Sequence, residues 1–552
     1  APAGPAAMAG AQPAFDEYFL DKALRIDLYQ AGDAKDERIT VHRIVAEGAW
    51  PETKTGLLPP FDQGRYVLKV IDAASNRLIF RRGFDTMYAE YKTTSPALAG
   101  EVRVFERSVR IPEPKRPFLF TIEARDRQNL LRPVFDRLIV PSDYHIVRES
   151  PAAGDEIFTL QEKGDPHDKV DFVFVAEGYT AGARDKFRAD AGRMTDFLFS
   201  LEPYKSLRDR FNVRAVFRPS PEAGPDEPRQ RTYRKTVLDA SFNAFDLDRY
   251  MLIEADHRMH EIAGQVPYDA LIVLVDSQRY GGGSIAFDYC VTTVDHPRSP
   301  EVFVHELGHS FGGLADEYYQ SEVSYNEFYP KGVEPLEPNI TALLDPADVK
   351  WKDLLSPGIG VPTEYGKDRT EALQAELREA RTARAKAVEA AKKRGAKAAE
   401  LKKIEDQAGA AEAALRARIE AVRQEFASLA DQVGVFEGAG YAAKGLYRSQ
   451  IFCIMIGNPK NEFCAVCQKA IAAMIDICRS ISSGAVSVIV LPSSILPRRV
   501  VPPEKCKKAS ESMVLPALLC ETRATFRING VVYSFMNKSL CLLLSFYPEL
   551  PF

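Results

Sequence analysis

Histidine is scarce in this chain, with eight among 552 residues. Cysteine is as rare, also eight, which is too few for a disulfide-dense scaffold of this length. There is no excess of basic charge. The 72 Lys and Arg against 77 Asp and Glu leave a net charge of −5, so nothing points to nucleic acid or an anionic membrane as partner. No early segment reaches the roughly 18 apolar residues of a membrane span. What remains is ordinary globular composition, 45% hydrophobic and 27% charged, and a length that suits two or three domains with sizeable cores.

Against so few histidines, His305-Glu306-Leu307-Gly308-His309 is the most informative stretch. A chance HExxH should arise in about one such chain in a hundred, so an accidental pair on a surface helix is the weaker reading. The apolar Val302-Phe303-Val304 precedes the motif and Gly312-Gly313 follows it. The spacing predicts a helix that starts buried and breaks soon after. Residues i and i+4 share a helical face, so both imidazoles can ligate one Zn²⁺. Glu306 is rotated about 100° away and can act as general base on a metal-associated water. Metallopeptidases of the metzincin type place a glycine seven residues after the first histidine and a third ligand at the tenth. Gly312 meets the first requirement and is expected to take a positive φ that turns the chain back under the metal. The tenth position is Ala315, which cannot ligate, and the carboxylates Asp316 and Glu317 follow it.

The run from His305 to Tyr319, with its Asp316-Glu317-Tyr318 after the HExxH, resembles the immunoglobulin A peptidase family of bacterial secreted zinc metallopeptidases. The resemblance implies His305, His309 and Asp316 as zinc ligands, with Glu317 the alternative third ligand. It extends over roughly 15–480 apart from a helical insert. It also implies a secreted or cell-surface protein acting on protein or peptide substrates, immunoglobulin A or another host or extracellular protein among them. The small-residue start Ala1-Pro2-Ala3-Gly4, without an initiator methionine, suits export after leader removal, or a trimmed chain.

Residues 15–148 read as an all-β sandwich: period-two runs such as Leu24–Tyr29, Arg38–Val45 and Tyr66–Ile71 are separated by turns, and Asp72–Asn76 closes a hairpin. Docking, substrate presentation and plain support are all open as its role. From 155 to 480 strands and helices alternate, which predicts an α/β metzincin-like metallopeptidase domain. Its nearly continuous apolar strands are Val170–Ala176, Phe211–Phe217 and Tyr268–Val275, with helices expected over 181–201 and 245–263 and a mobile Pro-, Glu- and Arg-rich loop over 218–232. Residues 368–430, rich in Ala, Glu, Lys and Arg, read as an inserted antiparallel coiled-coil hairpin turning at Arg394-Gly395. Beyond 481 no pattern emerges, although Val486–Leu491 and Leu540–Leu544 are apolar.

Further site candidates lie outside the HExxH run. Gly282 and Gly283 form either a flexible turn or a cleft rim that binds extended substrate by strand addition, and the resembling family carries a similar Gly-rich segment just upstream of its HExxH, which leaves both readings open. His296 reads as a loop residue. Met455 is either ordinary core or an apolar floor beneath the metal. Tyr447 is a candidate donor to the tetrahedral intermediate and Arg448 a candidate substrate anchor. Cys453, Cys464, Cys467 and Cys478 cluster around a single CxxC, where a zinc ribbon carries two. In an exported chain disulfides are the expectation, with three pairings open, and buried free thiols the alternative. The expected function is a secreted zinc endopeptidase. The competing functions are a cell-surface binding protein with a vestigial zinc site, and a zinc hydrolase of non-peptide amides or esters.

Overall fold

The computed structural model describes residues 12–59, 63–148, 154–320, 323–457 and 462–479, together with the backbone of 524–528 and 531–535. Cys506, Cys520, Cys541 and the apolar runs 486–491 and 540–544 lie outside the described residues. Within the tail, Ala524–Ile528 and Val531–Phe535 pair antiparallel.

Among the described residues, the N-terminal region holds seven strands and three short helices. Strands β1 (Phe19–Gly32), β2 (Glu37–Ala46) and β5 (Arg103–Pro114) form one antiparallel sheet in the order β2-β1-β5. Strands β3 (Tyr66–Asp72), β4 (Arg77–Phe84), β6 (Phe118–Arg125) and β7 (Leu131–Ile139) form a second in the order β4-β3-β6-β7. The alternation seen in the sequence explains their packing. Leu24, Ile26 and Leu28 of the first sheet and Tyr66, Leu68, Val70, Phe118 and Phe120 of the second bury into one shared core. The β3–β4 turn is set by Asp72, whose carboxylate accepts from the Ser75 amide at 2.9 Å, and by Asn76 at φ 54°.

The second region centres on a six-stranded sheet. In chain order its strands are β8 (Glu156–Gln161), β9 (Val170–Glu177), β10 (Phe211–Phe217), β11 (Ala270–Val275), β12 (Gly282–Ile285) and β13 (Tyr289–Thr293). They lie in the order β12-β13-β11-β9-β10-β8. The four central strands are parallel and both edge strands antiparallel. Every residue of β9 is buried because the strand is covered on both faces. Phe172, Phe174 and Ala176 pack with helices α1 (Arg184–Leu198) and α3 (Ser299–Ser310), and Val173 and Val175 pack with α2 (Asp256–Ala263). Met87, Tyr88, Tyr91 and Phe105 of the N-terminal region join that second cluster. Polar ties add to the joint: the Ser108 amide donates to Asp256 Oδ1 at 2.7 Å, and Arg107 pairs with Asp288.

Two sequence expectations fail here. The helix expected over 245–263 is confined to Asp256–Ala263. Asn243, Phe245 and Asp246 take left-handed φ values, and the chain instead runs along β12, with Met251 N donating to Gly282 O at 3.1 Å. The 218–232 loop is pinned, since Asp226 N donates to Ala240 O at 2.9 Å and Arg279 pairs with Glu227 at 2.7 Å.

Helices α4 (Lys367–Lys393) and α5 (Ala398–Glu425) form an antiparallel hairpin, and Leu373, Leu377, Ile419 and Val422 make its seam near the base. Bridges Arg369–Glu425, Arg418–Glu376 and Arg384–Glu412 step from base toward turn in opposite chain directions. After it come β14 (Phe436–Ala439), β15 (Ala442–Arg448) and α6 (Ala465–Ile477).

Candidate active site

Helix α3 carries the HExxH. Pro300 and Glu301 occupy its first turn, and Phe303, Val304 and Leu307 anchor it in the core, so the polar face bearing His305, Glu306 and His309 turns to the cleft. The helix stops at Ser310 because of the glycine pair. It is Gly313, not Gly312, that takes the left-handed conformation, at φ 59°. Gly312 is required for space, since a Cβ there would lie 2.7 Å from Gly308 O. The reversal brings Leu314 O to 2.6 Å from His309 Nδ1. His305 Nδ1 meets Ile454 O at 3.0 Å. Each Nδ1 therefore donates to a carbonyl, which leaves each Nε2 to offer its lone pair when a cation is bound.

Both Nε2 atoms face one carboxylate oxygen. Asp316 Oδ1 lies 3.1 Å from His305 Nε2 and 3.4 Å from His309 Nε2, and the two Nε2 atoms are 3.2 Å apart. Oδ1 is buried without a hydrogen-bond partner. Oδ2 accepts from the Tyr441 hydroxyl at 2.6 Å. Two neutral imidazole nitrogens and an orphaned carboxylate oxygen are a donor set that fits a zinc ion. Without a cation, burial opposes charge here, yet the Asp316 carboxylate outweighs it and lifts the His309 imidazole to about 9. The two imidazoles in turn hold Asp316 far below the ordinary carboxylate range despite its burial.

Glu317 points the other way. Its Oε1 accepts from Asn339 Nδ2 at 3.0 Å and lies 3.3 Å from Cys467 Sγ. Burial pushes this carboxyl well above its usual range. Glu306 Oε2 accepts from Ser284 Oγ at 2.7 Å. Met455 is fully buried beneath the motif, and a Cβ on Gly308 would come within 2.8 Å of its sulfur.

Other sequence candidates fall elsewhere. Tyr447 does not line the cleft. It sits on β15, paired with Thr341 and Glu437, and packs against the core. Arg448 is 5% exposed and spends its guanidinium on the Gly438 and Glu437 carbonyls and the Tyr365 hydroxyl, so it cannot anchor substrate. Gly282 does line the cleft, but strand addition at β12 is obstructed by residues 250–251. The glycines serve close packing: a Cβ on Gly282 would lie 2.6 Å from Val302, and one on Gly283 would strike the Met251 carbonyl. His296 accepts from the Arg298 amide and stacks edge-on against Tyr280. The described cysteines are all unpaired thiols, so the expected disulfides among 453–478 are absent among the described residues.

The cleft over the motif, about 500 Å³, has walls that sequence reading missed. Tyr318, Tyr325, Tyr329 and Tyr441 form an aromatic side, foreshadowed only by the density of Tyr and Phe in 318–329. The N-terminal region supplies Arg65, Asp85 and Glu90. Glu90 Oε2 accepts from Tyr325 at 2.6 Å and Tyr250 at 2.8 Å. Burial outweighs these donors and raises the carboxyl to about 7.

A family model described as IgA Peptidase M64 matches residues 158–475, and one described as Peptidase M64 N-terminus matches residues 14–136. No curated protein matches the chain.

Proposed function

Because the chain belongs to the IgA peptidase M64 family, and so to a family of peptidases, we propose that it is a zinc-dependent endopeptidase with His305, His309 and Asp316 as ligands and Glu306 as general base. The observation that carries this reading is the buried Asp316 Oδ1, orphaned of hydrogen bonds and facing both imidazole Nε2 atoms. Zinc would supply Lewis acidity there, lowering the pKa of a coordinated water to about 7 and polarising the scissile carbonyl. Glu306 takes the proton of the attacking water and hands it to the leaving amine. Ser284 holds that carboxylate in place through its 2.7 Å hydrogen bond. Leu314 O and Ile454 O fix the imidazole rings, and Tyr441 fixes Asp316. The tyrosine wall offers apolar faces with polar tips, which suits peptide side chains and backbone alike.

We read the two N-terminal sheets as a β-sandwich and the second region as metzincin-like, on the strength of the shared N-terminal core, the reversal after α3 and Met455 beneath Gly308. Export, and an extracellular protein such as immunoglobulin A as substrate, belong to the same proposal. The test is zinc analysis together with cleavage of an unfolded protein. Glu306→Gln is expected to keep the zinc held by His305, His309 and Asp316 and lose turnover, and His309→Ala to lose that ion and turnover with it. Full zinc and full activity in either variant would overturn the assignment. Zinc binding without cleavage of any member of a peptide library would favour the binding-protein reading instead.

A further inference from the structure

Among the described residues, two more groups of metal-capable side chains lie outside the cleft. Asp256, His260 and Asp288 are already satisfied: Arg107 pairs with Asp288, His260 Nε2 lies 2.9 Å from Asp288, and His260 Nδ1 lies 2.7 Å from the Tyr268 hydroxyl. The other group is Glu317, Cys453, Cys464 and Cys467, with one donor atom from each within 4.8 Å of the rest. All four are buried, none more than 4% exposed.

Their spacing is that of a filled coordination shell. Cys453 Sγ and Cys467 Sγ are 3.7 Å apart, and Glu317 Oε1 lies 3.3 Å from Cys467 Sγ and 3.7 Å from Cys464 Sγ. A tetrahedral zinc with ordinary Zn–S and Zn–O bonds sets sulfurs about 3.8 Å apart and sulfur to oxygen about 3.5 Å apart. An outer layer is present. Cys464 N donates to Cys453 Sγ at 3.3 Å, Cys467 N to Cys464 Sγ at 3.4 Å, and Asn339 Nδ2 to Glu317 Oε1 at 3.0 Å. Amide donors to sulfur favour thiolates, and soft thiolates with one carboxylate in a closed shell suit zinc.

We propose that Cys453, Cys464, Cys467 and Glu317 bind a second zinc ion, a structural one, directly behind the catalytic centre. Four protein ligands leave no open position for water or substrate. The ion ties together three segments that shape the first site. Glu317 follows Asp316. Cys453 precedes Ile454, whose carbonyl orients His305, and Met455, whose carbonyl accepts from Glu317 N at 2.9 Å. Cys464 is the N-cap of α6, and Cys467 lies in its first turn.

The experiment measures zinc per full-length chain and the absorption of the cobalt(II)-loaded protein. Wild type is expected to carry two zinc ions, and His309→Ala and Cys467→Ser one each. Cobalt(II) in His309→Ala should give a thiolate-to-cobalt charge-transfer band that Cys467→Ser abolishes. Where Cys467→Ser does not fold, Cys467→His keeps a ligand and should retain the ion with a weaker band. A Cys453–Cys467 disulfide in the protein as purified would overturn the proposal. So would cobalt-loaded His309→Ala without a thiolate band, or a zinc content and band unchanged by both Cys467 variants. Failure of the catalytic assignment would look different: zinc that survives His309→Ala undiminished and is lost only with Cys467.

Discussion

Tyr441→Phe isolates the support of the proposed zinc ligands from the ligands themselves. The Tyr441 hydroxyl donates to Asp316 Oδ2 at 2.6 Å, and Asp316 is 5% exposed. A hydrogen bond to a buried charge contributes about 1.5–3 kcal/mol, which corresponds to a roughly 10- to 150-fold change in an equilibrium constant. Loss of a partner that orients a metal ligand costs about 10–100-fold in metal affinity, so the two estimates agree. Phenylalanine keeps the ring in its packing against Tyr325 at 5.8 Å and Phe328 at 5.7 Å, so the fold should persist. A competition titration against a chromophoric chelator should therefore show zinc Kd raised about 10–100-fold, with the far-ultraviolet circular dichroism unchanged. A Kd within about twofold of wild type would refute the claim that this hydroxyl positions the third ligand.

Gly308→Ala should lower Tm: the helix gains about 1 kcal/mol in propensity, but a Cβ 2.8 Å from the buried Met455 sulfur costs about 1–3 kcal/mol. A raised Tm would mean Met455 yields freely and does not support the motif. Replacing 379–414 with a short Gly/Ser linker keeps the seam of Leu373, Leu377, Ile419 and Val422, so zinc binding and cleavage of short peptides should survive; global unfolding would show that the distal hairpin belongs to the core. Glu90 is raised from 4.5 to about 7, so its contribution to stability is full below pH 4.5 and is lost as pH rises through about 7. Glu90→Gln should remove that decline from a Tm–pH series, and parallel curves for the two proteins would contradict it.

How much was legible follows from the range of the interactions. The HExxH and the carboxylate after it are close in sequence, and local turn chemistry brings them together. Sequence left Asp316 and Glu317 as alternatives; the fold directs one to the histidines and the other to the cysteines. Period-two alternation marks the strands of the first region, which share one core, and nearly continuous apolar runs mark those of the second, whose sheet is covered on both faces. Tyr447 and Arg448 are candidates by residue type alone, and no local pattern shows that Tyr447 packs against the core or that Arg448 is taken up by the Glu437 and Gly438 carbonyls. Tyr441, at the turn between β14 and β15 with φ 65°, reaches Asp316 from 125 residues away. Glu90 and Arg65 enter the cleft from another region altogether, and no local pattern announces such a placement. Cysteine spacing could not distinguish a disulfide from three thiols gathered around a carboxylate.

On the proposed reading, His305, His309 and Asp316 hold the catalytic ion. Anomalous scattering at the zinc edge from crystals of the full chain tests it most directly. A peak is expected bonded to His305 Nε2, His309 Nε2 and an Asp316 carboxylate oxygen, on the face where Glu306 meets the cleft. Full zinc content in the crystals with no peak at those three atoms would contradict it.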